Sequence, residues 1–315
     1  MWELLKKVWY YFLSIIRLKK MTVNFLANHP NKESIITAID ASIRFPEILQ
    51  AQKEIYKEDI QLFKELVNTS SSGAELLDKI RNKEFTSDQR MSLLKIFRRC
   101  VSPVLDTEMA KKITKVQTAQ LVASLGHTFK DINILKQQMA TISAEQDAAL
   151  AVLIGEYDTR GQLGYQLTDR FFTWFEQELS NQFTIEGPRG AGRDVELSTI
   201  FKDFEGNYPC DFVIKEKSNS RVCAVGFARY DSTRGGAQSD DRTGGNANKV
   251  TKAMAYCFTS KNNFRMIFLS DGPGLLHKDT WEESCILEAL WDGNIRVTTL
   301  KTAQERITPS WLLGN

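Results

Sequence analysis

A chain of 315 residues, 42% hydrophobic and 25% charged, holds enough apolar material for a sizeable core, which excludes a disordered polymer and leaves room for two domains. A net charge of +2 excludes a strongly basic surface overall, though not positive charge confined to a cleft. The five cysteines, Cys100, Cys210, Cys223, Cys257 and Cys285, form no CxxC pair, which argues against a zinc cluster or a dense disulfide framework and points to reduced thiols in a cytoplasmic protein.

Residues 1–20, MWELLKKVWYYFLSIIRLKK, form a separate amphipathic segment. The apolar run Val8 to Ile16 is too short for a bilayer, which takes about 20 residues. Arg17, Lys19 and Lys20 stand where a signal peptide would carry small cleavage-site residues. The segment reads as a helix packed on the body or an extension ahead of a start at Met21, in preference to a surface-seeking membrane helix. No stable membrane association is expected.

Residues 21–155 read as a helical region. Ile35, Ile36, Ile39 and Ile43 recur at helical spacing until Pro46, and Ile55, Ile60, Phe63 and Val67 continue the pattern to the break at Thr69–Gly73. A short helix follows from Ala74 to Arg81, and Thr86-Ser87-Asp88 caps another carrying Met91, Leu94 and Phe97. Long helices are expected over 107–127 and 131–154.

Residues 156–315 read as an α/β domain. Gly155 to Gly164 give a glycine-rich lead-in to an aromatic helix with Phe171, Phe172, Trp174 and Phe175, a core stripe. Four runs rich in Val, Ile, Phe and Tyr then suit strands: Tyr208 to Lys215, Val222 to Tyr230, Arg265 to Ser270 and Ile295 to Leu300. Helices over 248–258 and 281–290 separate the later ones. That order describes a mixed β-sheet flanked by helices.

One carboxylate, Asp211, lies inside the apolar run YPCDFVI, where an acid is costly unless paired or bound to metal. A hairpin through Glu216 to Arg221 sets it opposite Gly226 or Phe227. Strand alternation sends Val225, Phe227, Arg229 and Asp231 to one face, so that Arg229 and Asp231 both face Asp211. Two acids beside a fixed cation suit Mg²⁺-dependent phosphodiester cleavage.

These residues resemble the PD-(D/E)XK nuclease superfamily, especially type II restriction endonucleases, in which a strand ending Pro-Asp is followed across a hairpin by an acid-X-Lys strand. Pro209-Cys210-Asp211 matches the first half with one residue inserted, while the acid-X-Lys slot reads Phe227-Ala228-Arg229. The blocks GRDVEL, CDFVI, GFARYDSTRGGAQSDDRTGGN and FLSDGPGL extend the likeness in order. The resemblance implies a restriction-endonuclease-like fold over 156–315 and a metal site of Asp211 with Glu196 or Asp231. Arg229 then steadies the phosphate, since a guanidinium stays protonated and cannot serve as a base. A bland alternative pairs Arg229 with Asp231 as a structural ion pair.

The polar stretch from Asp231 to Asn248 is expected as a loop carrying Arg234, Gln238, Arg242, Asn246 and Asn248, side chains suited to base edges in the major groove. Arg189 and Arg193, in GPRGAGR, could reach DNA phosphates. The resulting expectation is a cytoplasmic, Mg²⁺-dependent type II site-specific deoxyribonuclease acting on double-stranded DNA. It would be a homodimer matched to a palindromic site, with a cognate DNA methyltransferase encoded nearby. The rival readings are a sequence-specific DNA-binding protein without catalysis and a structure-specific repair nuclease of the same fold.

Overall fold

The computed structural model describes residues 24–40, 42–232, 238–291 and 293–314. The amphipathic segment 1–20 lies outside the described residues. The chain divides into two compact units: Ser42–Arg160, and the N-terminal segment to Ala41 grouped with Gly161–Asn315. Sequence periodicity placed the boundary differently, assigning everything from 21 to 155 to one helical region.

The Ser42–Arg160 unit is all helical. Helix Glu47–Thr69 buries Tyr56, Ile60, Phe63 and Val67 at helical spacing and leaves Glu54, Lys57 and Glu58 in solvent. Helices Gly73–Ile80 and Ser87–Cys100 pack with it through Leu76, Leu77, Leu93, Leu94 and Phe97. Thr86 caps the second as its sequence suggests: Thr86 Oγ1 accepts from Gln89 N at 3.2 Å, and Thr86 N donates to Gln89 Oε1 at 3.1 Å.

The helix expected over 107–127 is broken into Thr107–Lys111 and Thr118–Leu125. Arg81 explains the break. Its buried guanidinium donates to the Ala110 carbonyl (Nε, 2.8 Å), the Thr118 hydroxyl (2.7 Å) and the Val116 carbonyl, so backbone groups that a continuous helix would use internally turn to the arginine. The helix expected over 131–154 is likewise two, Ile132–Thr141 and Ala144–Leu179. The latter continues through the glycines read from sequence as a lead-in. At Gly155 a Cβ would collide with the Gln52 side-chain amide, so glycine permits that close approach.

The second unit is built on a five-stranded mixed sheet. Its strands are β1 (Phe183–Glu186), β4 (Phe212–Glu216), β5 (Val222–Tyr230), β6 (Arg265–Asp271) and β7 (Ile295–Thr298), in that spatial order. β1, β4 and β5 run antiparallel to their neighbours, whereas β5, β6 and β7 are parallel, joined by helices Gln238–Thr259 and Lys278–Glu288. A two-stranded ribbon, β2 (Val195–Glu196) with β3 (Pro209–Cys210), leads into β4.

Each face of the sheet carries its own core. Val213, Val225, Phe227, Phe268 and Val297 pack with Val250, Ala253 and Trp281; Phe212, Ile214, Ala224, Ile267 and Leu269 pack with Phe171, Phe172, Phe175 and Trp311. The aromatic stripe of the long helix is therefore core, with Phe171 5.1 Å from Phe212 between ring centroids.

Ile35, Ile36 and Ile39 do not lie on a regular helix. After a 3₁₀ turn at Glu33–Ile35 the chain is extended, and Asp271 holds it there. The fully buried Asp271 carboxylate accepts from Thr37 N (2.7 Å), Gly272 N (2.7 Å) and Leu300 N (2.9 Å). Tyr230 completes the tie, its hydroxyl donating to the Thr37 carbonyl at 3.0 Å and accepting from Ile39 N at 2.8 Å.

Candidate active site

Asp211 sits at the bend between β3 and β4, and its backbone N donates to the Gly226 carbonyl at 3.0 Å, which is the register the hairpin predicts. Its carboxylate Oδ2 accepts from Ala228 N at 2.7 Å, the central residue of the Phe227-Ala228-Arg229 slot. Gly187 makes this approach possible. With φ of 154°, it lets the chain leave β1 directly against the Asp211 carbonyl, where a Cβ would overlap the oxygen.

Asp211 lines a cavity of about 230 Å³ with Asp194, Ala228, Pro188, Gly190, Gly192 and the Gly161, Gly164, Tyr165 and Thr168 positions of the long helix. At about 30 Å³ per water, that space holds roughly seven water molecules, suited to a hydrated ion and a phosphate group and too small for a nucleoside as well. Asp194 reaches the cavity through the ribbon. β2 and β3 pair Val195 with Cys210 and Glu196 with Pro209, so one further step along the ladder sets Asp194 opposite Asp211.

Burial, and to a lesser extent the Asp194 charge, raise the Asp211 carboxyl above the ordinary aspartate range, while the Ala228 hydrogen bond and Lys249 act to lower it. Lys249, on helix Gln238–Thr259, is the cation of the site. Its Nζ stands 3.9 Å from the Phe227 ring centroid, and burial lowers its pKa against the opposing pull of Asp211. The acid-X-Lys slot thus lacks its own lysine but seats one from a helix on the ring at its first position. Tyr208 fixes the turn that carries this lysine: its buried hydroxyl donates to the Lys249 carbonyl at 2.9 Å, while its backbone N donates to Glu196 Oε2 at 3.0 Å.

Other residues expected at the site stand elsewhere. Arg229 and Asp231, which alternation was to turn toward Asp211, bind each other: Arg229 Nε donates to Asp231 Oδ1 at 2.7 Å and Nη2 approaches it at 2.6 Å. Asp231 is buried just past the end of β5, and the Arg229 guanidinium two residues back neutralises its charge locally. Glu196 accepts from Tyr208 N through one carboxylate oxygen, a bond that ties β2 to the start of β3. Among the described residues Asp211, Glu196 and Asp231 are not gathered as one group of three ligands, and the acid that lines the cavity with Asp211 is Asp194.

Arg189 is committed to the long helix, pairing with Asp169 at 3.0 Å and with Glu176 and lying over Phe172; Arg193 is exposed. The stretch expected as a loop to Asn248 is helical from Gln238, which places Asn246 and Asn248 on a helix. Arg234 and the side chains of Gln238 and Arg242 lie outside the described residues.

Among the described residues no group of three or more His, Cys, Asp or Glu side chains is gathered to hold a metal unaided. Two carboxylates lining a cavity of this volume nonetheless suit Mg²⁺, which keeps several waters and binds through one or two carboxylates plus substrate phosphate oxygens. Among the described residues no helix is long and apolar enough to cross a membrane. Family models, curated proteins and solved structures yield no match to this chain.

Proposed function

We propose that the sheet unit is a Mg²⁺-dependent endodeoxyribonuclease with a restriction-endonuclease-like fold, hydrolysing phosphodiester bonds of double-stranded DNA at a short specific sequence. One observation carries the reading: Asp211 is bonded to Ala228 N inside the slot, shares a cavity with Asp194, and has Lys249 as its nearest cationic influence. Two acids lining a phosphate-sized space, with a lysine whose charge acts on one of them, are what this hydrolysis needs.

Asp194 and Asp211 would hold the ion. When bound, Mg²⁺ supplies an activated water and neutralises charge on the phosphate. Lys249, seated on Phe227 and fixed through Tyr208, offers its ammonium to the developing oxyanion. Its lowered pKa also brings it nearer to giving up a proton when a water must be activated. The Ala228 bond holds one oxygen of Asp211, which lines the cavity, and leaves the other oxygen free of that bond. A homodimer acting on a palindrome, protected by a companion methyltransferase, is the matching biological setting.

The rival reading is a DNA-binding protein without catalysis. It is favoured by the absence of an acid in the slot, where Phe227 stands, and by the Arg229–Asp231 pair, which removes the slot cation. Purified protein incubated with plasmid DNA of mixed sequence and Mg²⁺ separates the two. Discrete fragments that disappear with Asp211→Asn are expected, whereas uncut DNA retained on the protein would establish the binder.

A further inference from the structure

One wall of the Asp211 cavity is the long helix Ala144–Leu179, which lines it through Gly161, Gly164, Tyr165 and Thr168. Their spacing of three and four residues puts them on one helix face. Thr168 is buried, and its hydroxyl donates to the Gly164 carbonyl at 3.0 Å. Tyr165, by contrast, is 43% exposed. Its ring lies over Gly161, where a Cβ would stand 3.3 Å from Cε2, Cζ and Oη. The phenol is thus laid back along the helix with much of its surface open.

Two glycines of the cavity are not required by packing. A Cβ at Gly192 would meet Pro188 at 2.6 Å, so that glycine shapes its own loop. At Gly164, and at Gly190 on the loop, a Cβ would meet nothing within 4 Å among the described residues. Neither takes a positive φ. Glycine inside a helix is less stable than alanine, so Gly164 leaves this space open at a cost to the helix. The cavity it borders takes a phosphate and a hydrated ion but not the nucleoside as well. The sugar joined to that phosphate must therefore pass out across the wall, where Gly164 gives clearance and Tyr165 offers an exposed apolar surface.

We infer that Gly164 and Tyr165 form the binding surface for the nucleoside attached to the scissile phosphate, its deoxyribose packed on the Tyr165 ring and its strand entering past Gly164. The identity of the ligand rests on the endonuclease reading of the cavity. The contact is made by the ring rather than the hydroxyl, so phenylalanine should serve as well as tyrosine. A side chain at position 164 should shut out the strand while leaving Asp194 and Asp211 able to hold an ion.

The test compares the full chain with its Tyr165→Ala, Tyr165→Phe and Gly164→Leu variants on plasmid DNA of mixed sequence. Cleavage is followed in Mg²⁺ and retention of the DNA on the protein in Ca²⁺, another cation that binds through oxygen ligands. Tyr165→Ala and Gly164→Leu should each lower both by about tenfold or more, the loss of one buried aromatic contact, while Tyr165→Phe keeps both. Mn²⁺ binding should match the wild type in all three, and Gly164→Leu should melt no lower. Undiminished cleavage and retention in Tyr165→Ala or Gly164→Leu would overturn the inference and leave the nuclease reading standing. So would a Tyr165→Phe as damaged as Tyr165→Ala, or Mn²⁺ binding lost along with DNA. DNA retained but uncut by the wild type, with retention still dependent on both positions, supports the surface and removes the nuclease reading. A wild type that neither cuts nor retains DNA overturns both.

Discussion

The Asp211 carboxylate accepts a hydrogen bond from the backbone N–H of Ala228 at 2.7 Å, across the hairpin between β4 and β5. A main-chain donor cannot rotate away, so the register of two strands decides where one carboxylate oxygen lies. The same register places Phe227 beneath Lys249. Hairpin geometry and the electrostatics of the site are therefore one construction, and the consequences can be measured.

Asp211→Asn should raise stability in metal-free buffer while abolishing cleavage. The folded-state pKa of Asp211 is raised, so its favourable contribution is fully present below the ordinary aspartate pKa and is lost as pH rises through the raised value. Near neutral pH the ionised group is a penalty, and asparagine removes it while still accepting from Ala228 N. Thermal melts should show a higher Tm for the variant above that window and no gain below it.

Cleavage should fall on acidification at a pH above the ordinary aspartate range, because a protonated Asp211 cannot hold a cation. Lys249→Met removes the positive charge that lowers the Asp211 pKa, so the acidic limb should move further up in pH, alongside a rate loss of about 10²–10⁴-fold for a lost acid–base group. Rate–pH profiles of the two proteins check the direction.

Tyr208→Phe deletes the hydroxyl bonded to the Lys249 carbonyl and nothing else. A cost of about 1 kcal/mol in stability is expected from one lost hydrogen bond. The turn carrying Lys249 should loosen, seen as faster amide exchange in helix Gln238–Thr259 and a lower kcat with KM nearly unchanged.

Asp271→Ala strands three backbone N–H donors, those of Thr37, Gly272 and Leu300. At about 1–3 kcal/mol for each buried unsatisfied donor, this should be among the most damaging single changes in the sheet unit. Denaturant titration should show a large loss, and limited proteolysis should cut first within residues 24–40.

The later strands were legible because β-branched and aromatic runs are bounded by turns: runs expected at 222–230 and 265–270 appear as Val222–Tyr230 and Arg265–Asp271. Asp211 stood out as the one acid in an apolar strand, and its hairpin register followed from the turn. Asp194 and Lys249 did not stand out. The first depends on a two-residue ribbon too short for a periodic signal, and the second on a helix whose polar, glycine-containing start reads as loop. The broken helix near 112–117 was hidden for a related reason, since its cause, Arg81, lies about thirty residues away in sequence. Local pattern reports local structure; these features are set by contacts across the fold.

Asp194 and Asp211 are proposed to share one divalent ion. Mn²⁺, which like Mg²⁺ favours carboxylate and water oxygens, can be titrated into the protein and followed by electron paramagnetic resonance. One bound ion per chain is predicted, lost in Asp194→Asn and in Asp211→Asn alike but kept in Glu196→Gln and Asp231→Asn. Binding that survives both of the first two substitutions would contradict the assignment of the site.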